Sequence, residues 1–233
     1  MATHERIRIA GLLGLAGALL LAVGDQCLYF AAISGADFMH GLLGIVAAAP
    51  TGRVLFGASL GPVAALLYLA GFWHVYVRLR TRHPRIAALI AIGLALCLLA
   101  GTAYHVLWGA KALAMKATLG AAATDQPVLA ALEAQLRAYA ANVYLIAEIA
   151  GYPSAVLLAI MIATGRSDYP RWLALLTPAI PLVILQFVAP YTPAPFGSLV
   201  AGSASNLSFA LFFAASLATL RKPMPSGVSY AGS

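Results

Sequence analysis

Four ionisable side chains stand inside long apolar runs of this sequence: Asp25, His74, His105 and Glu148. At the centre of a membrane helix each costs about 2.5–3.5 kcal/mol, so each needs a partner or a wet cavity. Asp25 and Glu148 can divide the roles of acid and base between them. His105 can shuttle a proton or bind a metal. These three are the candidate catalytic residues. Asn206 and nearby tyrosines can donate hydrogen bonds to a developing oxyanion.

Helical spacing gives these groups neighbours. Tyr29 is four residues after Asp25, and Tyr104 and Trp108 flank His105. Tyr144 and Tyr152 lie four residues either side of Glu148, which makes a Tyr/Glu/Tyr stripe. With Gln186 and Asn206 they are the expected substrate-binding walls. At that depth the same rings also suit an interfacial belt. His40, three residues after Asp37, extends the set to Asp25, His40, His105 and Glu148. Two imidazoles and two carboxylates are a donor set for a divalent metal such as zinc. No HExxH or HxxxH spacing supports it. His74, in Phe72-Trp73-His74-Val75-Tyr76, is expected as an interfacial histidine among aromatic anchors. A haem shared with His105 is disfavoured, because the two sit at opposite faces.

The elements that must hold these residues follow from composition. Of 233 residues, 62% are hydrophobic and 9% charged. A soluble domain carries about 25% charged residues. An ordinary soluble domain and a disordered chain are therefore excluded. Runs of roughly 20 apolar residues cross a bilayer. Six qualify, at about 9–30, 54–77, 86–110, 141–165, 172–190 and 198–220. The expected fold is a single all-α, six-helix transmembrane bundle over residues 1–233. A short outer helix after span 1 begins at a capping-box-like Ser34-Gly35-Ala36-Asp37. Between spans 3 and 4, Leu129, Leu132 and Leu136 with Glu133 and Arg137 predict an amphipathic segment resting on the membrane surface. A cleavable signal peptide at Ala22-Val23-Gly24 is the competing reading of span 1. Cys27 and Cys97 form no CxxC and read as small core residues. Gly11, Gly14, Gly17, Gly57 and Gly61 make ridges for close helix approach.

With the N-terminus inside, ten Lys and Arg residues fall on inner segments and four on outer ones. That asymmetry sets both termini in the cytoplasm. Asp25, His105, Glu148, Gln186 and Asn206 then share one layer, roughly 6–12 Å below the outer ends of their helices. The net charge of +7 is ascribed to topology and anionic lipid.

Three segments, Gly24-Asp25-Gln26-Cys27-Leu28-Tyr29, Gly71-Phe72-Trp73-His74-Val75-Tyr76 and Tyr104-His105, resemble a family of small multi-pass bacterial membrane proteins of unknown function. The resemblance covers the first three spans best. It implies a bacterial cytoplasmic (inner) membrane and brings no activity.

Three functions are carried forward. The first is a membrane-embedded enzyme on a lipidic or small apolar substrate, using carboxylate/histidine acid–base or metal-assisted chemistry. The second is a proton-coupled transporter. The third is a binding or scaffold protein whose polar layer only joins helices. The expected partners are membrane lipids and a small apolar or lipid-like ligand. Nucleic acid is not among them, and association with further copies of the chain is left open.

Overall fold

The computed structural model describes residues 4–220. Arg221 and Lys222, counted above as inner charges, lie outside the described residues. The chain is an all-α bundle: α1 (His4–Tyr29), α2 (Gly35–Ala48), α3 (Thr51–Leu79), α4 (Pro84–Gly120), α5 (Gln126–Ala163), α6 (Ala179–Val188) and α7 (Gly197–Ala218). Helix α1 packs between α3 and α7, and α4 packs between α3 and α5. Among the described residues, α1, α3, α4, α5 and α7 are each long and apolar enough to cross a membrane.

The expected fifth span departs from this pattern. It divides into a 3-10 turn (Arg171–Leu176), α6, and a second 3-10 turn (Ala189–Tyr191). The break is local chemistry. Thr177 precedes Pro178 and adopts ψ 148°. The proline ring disfavours helical backbone at the residue before it. At about 1.5 Å per residue, α6 alone is roughly 15 Å long, half a bilayer core.

The outer amphipathic segment is also placed differently. It is no separate helix: the last turns of α4 and the first of α5 take it up. Helices of 37 and 38 residues reach roughly 55 Å, against a hydrocarbon core of about 30 Å. Their joined ends therefore form a projecting hairpin. Glu133 and Arg137 pair there at 2.7 Å, at the spacing the sequence carries. Lys111 is buried, with Nζ 3.5 Å from the centre of the Trp108 ring.

Helix α2 covers one end of the bundle. The Ser34 hydroxyl accepts from the Asp37 backbone N–H and donates to its carboxylate at 2.6 Å, which starts the helix. Lys116 Nζ donates to the Ala47 and Ala49 carbonyls, each at 2.6 Å, and neutralises its C-terminal end. Phe38 anchors its first turn, edge-on to Tyr29.

The opposite end is closed by a polar lock. His74, expected among interfacial anchors, is turned into the protein. It is fully buried, with Nδ1 donating to the Ile7 carbonyl and Nε2 facing the Ser216 hydroxyl, both at 2.7 Å. Ser216 in turn meets the Tyr169 hydroxyl at 3.1 Å. Burial pushes the Tyr169 phenol up to about 12, so it stays neutral at ordinary pH. The Arg78 guanidinium lies 4.3 Å over that ring and donates to the Asp168 carbonyl and Thr219 hydroxyl. Arg78→Leu is expected to lower stability by about 1.5–3 kcal/mol, the worth of hydrogen bonds to a charged donor. Detergent unfolding curves check this, and an unchanged midpoint would exclude the lock.

Candidate functional site

Glycines allow three helices to meet at His105. A Cβ on Gly24 of α1 would stand 3.0 Å from His105 Nε2. One on Gly57 of α3 would stand 2.5 Å from the Cys27 Cβ. The missing side chains let the imidazole of α4 lie between α1 and α3. There its Nε2 is 2.9 Å from the Gly57 carbonyl. A carbonyl only accepts, so Nε2 carries a hydrogen. The other nitrogen, Nδ1, faces Asp25 Oδ1 at 3.4 Å.

The Asp25 side is equally defined. Asn206 Nδ2 donates to Asp25 Oδ2 at 2.7 Å. The Tyr68 hydroxyl donates to Asn206 Oδ1 at 2.8 Å, which fixes the orientation of the amide. The result is a chain running Tyr68, Asn206, Asp25, His105, Gly57 carbonyl across four helices. Both outer contacts are assigned, so Asp25 Oδ1 and His105 Nδ1 are the two atoms of the pair between which a proton can be exchanged. Asp25 is 8% exposed and His105 4%.

This chain forms one wall of a cavity of about 400 Å³. Asp25, His105, Glu148, Tyr29, Tyr104, Trp108, Tyr144, Tyr152, Gln186 and Asn206 all line it. The aromatic side chains form a continuous belt. Tyr29 meets Trp108 edge-on at 5.3 Å, Trp108 meets Tyr104 at 6.1 Å, and Tyr104 meets Tyr144 at 4.7 Å. Glu148 stands apart from the Asp25 chain. Among the described residues it forms no hydrogen bond or ion pair.

His40 does not join them. It is exposed on α2 and is not part of the lining. The four-residue zinc set of Asp25, His40, His105 and Glu148 is therefore not assembled. Among the described residues no three His, Cys, Asp or Glu side chains are placed to hold a metal. His105 could not readily serve one, since both ring nitrogens already face partners.

Two participants escape a reading of the sequence. Tyr68 holds the far end of the polar chain, and its only signal is a lone hydroxyl in the apolar run Leu66-Leu67-Tyr68-Leu69. Cys97 lines the cavity floor, although its sequence context marks it only as a small core residue. Ser203, one turn before Asn206, accepts from Gln26 Nε2 at 2.5 Å. Tyr68→Phe is expected to cost about 1 kcal/mol and to release the Asn206 amide. Unfolding measured against wild type in the same detergent checks it.

The model of a family described as a family of unknown function (DUF6796) matches residues 1–223. No curated protein and no solved structure matches the chain.

Proposed function

We propose, for a chain that belongs to the family of unknown function DUF6796, that it is a membrane-embedded enzyme moving protons on a lipidic or small apolar substrate. One observation carries the reading. The Asp25–His105 pair and the unpaired Glu148 carboxyl line the same aromatic cavity. One centre gives a proton to the substrate and the other removes one. The proton count then balances with no further reactant, which suits an isomerisation or a cyclisation. Asn206 and Tyr68 act as positioning residues that hold Asp25 in place. Acid–base chemistry is favoured over the metal-assisted route because the required donor set is not brought together.

We place the chain in a bacterial inner membrane, and the distribution of basic residues supports both termini in the cytoplasm. Arg78, Arg80, Arg82, Arg85, Arg166 and Arg171 gather around the turns at the end opposite α2. The cavity then lies in the outer half of the bilayer. A carrier would need access from both faces. Below the cavity, Phe212, Phe213, Ile90 and Leu158 are buried without a gap in exposure, which argues against a conduit. A purely structural polar layer is the second reading. It is favoured by the partners found for both Asp25 oxygens and both His105 nitrogens.

The test is conversion. The purified protein is incubated with an extract of bacterial membrane lipids, and the extract is separated by chromatography and mass spectrometry. The reading expects one species to decline while a species of equal mass rises. An extract unchanged by the wild-type protein would favour the structural layer.

A further inference from the structure

The cavity carries its ionisable groups in the half toward α2, beneath Phe38 and Leu42, and is apolar in the other half. Its lining on α4 runs from Leu94 to Trp108, roughly 21 Å along the axis at about 1.5 Å per residue. Toward α2 lie Asp25, His105, Glu148 and Gln186. Toward the other end lie Leu21, Phe72, Leu94, Leu98 and Ala155. A molecule filling this shape has a polar head and an apolar body.

The cavity is closed behind and open in front. At the back, Tyr68, Asp25, His105 and Trp108 are buried. At the front, the lining residues Tyr144 and Tyr152 of α5 are 39% and 41% exposed. Gln186 of α6, also in the lining, is exposed too. A residue that faces both the cavity and the outside marks a mouth. Around it the outer surfaces of α5 and α6 are apolar, with Leu145, Ile149, Val183, Ile184 and Phe187 exposed. Such a mouth opens sideways into lipid and away from water.

Charge narrows the head group. The lining holds two carboxyls and one imidazole, and no Lys or Arg. A phosphate or carboxylate head would face two carboxyls with no Lys or Arg to pair with. Glu148 offers an acceptor that nothing in the described chain satisfies, and a carboxyl at this depth is costly when unpaired. The volume of about 400 Å³ is toward the small end of ligand pockets, roughly 300–1,000 Å³. It suits one chain or a compact ring system better than a two-chain phospholipid.

We propose that the cavity admits, sideways between α5 and α6, a single-chain or ring amphiphile whose neutral or cationic head group donates a hydrogen bond to Glu148. This rests on the reading of the cavity as a ligand site, and it requires binding but no turnover.

Trp108 in the cavity wall supplies the probe. Trp73→Phe with Trp172→Phe leaves it as the one tryptophan of the three in the chain. The full-length protein in nanodiscs is titrated with brominated long-chain alcohol, amine and carboxylate of equal length, and quenching of Trp108 fluorescence is followed. Alcohol and amine are expected to quench saturably, and carboxylate about tenfold more weakly or not at all. Glu148→Gln is expected to weaken the amine about tenfold, the worth of a charge-assisted bond, and to spare the alcohol. Glu148→Leu weakens both. Leu182→Phe adds a bulkier side chain to the lining on α6 and is expected to slow quenching. Equal quenching by the carboxylate, or unchanged titrations in Glu148→Leu, would overturn the proposal. Saturable binding without conversion of any lipid would leave this inference standing and remove the enzymatic one. Conversion without selectivity for donor heads would do the reverse.

Discussion

Asp25→Asn is expected to reduce turnover by about 10²–10⁴-fold, the usual contribution of a positioned acid–base group. The substitution is close to isosteric. Its amide oxygen can still accept from Asn206 Nδ2, and its amide nitrogen can donate to His105 Nδ1. Both partners seen at Asp25 therefore stay satisfied. His105 keeps its Nε2 hydrogen on the Gly57 carbonyl. What disappears is the one proton the pair can exchange. The expected result is a folded protein with a wild-type melting curve that no longer converts lipid. The rate of conversion, measured beside the unfolding midpoint, separates chemistry from folding. Wild-type turnover in this variant would take Asp25 out of the mechanism.

Gly14→Val is expected to damage the fold severely, by forcing two long helices apart. A Cβ on Gly14 would lie 2.6 Å from the Gly71 Cα and 2.8 Å from the Phe213 ring. The nearest obstacle is backbone, so no rotamer change relieves it. Helices α1 and α3 would have to move apart. That movement would strip the contacts of Tyr68, Phe72 and Phe213, which form the central aromatic cluster. It would also pull the Ile7 carbonyl from His74. Overpacking in a tight core costs about 1–3 kcal/mol, and more where backbone is the obstacle. We expect a loss above about 3 kcal/mol, seen as a broad or aggregated peak in size-exclusion chromatography. Gly41→Val is the control, since a Cβ there meets nothing within 4 Å. A monodisperse Gly14→Val protein with an unshifted melting curve would refute the close helix contact.

The sequence by itself determined the class and most of the elements. The low charge and the long apolar runs leave an apolar helical bundle as the solution, because helices satisfy their own backbone groups where water is absent. Local signals also read through. Ser34 and Asp37 start α2, and Glu133 pairs with Arg137 one turn on. The residues able to do chemistry were visible as polar interruptions of apolar runs. Ten of them do line one cavity.

The tertiary structure decided who meets whom. Periodicity fixes which residues share a face of one helix, but not how that face is turned toward the next. In a membrane helix the lipid-facing side is as apolar as the core-facing side, so hydropathy carries little of that rotation. The rotation is set by contacts such as Gly14 on Gly71 and Gly24 and Gly57 around His105. Those contacts give Asp25 its imidazole, leave Glu148 without a partner, and bury His74 against Ser216. They also leave His40 outside the cavity, six residues after the Ser34 cap that the sequence does disclose.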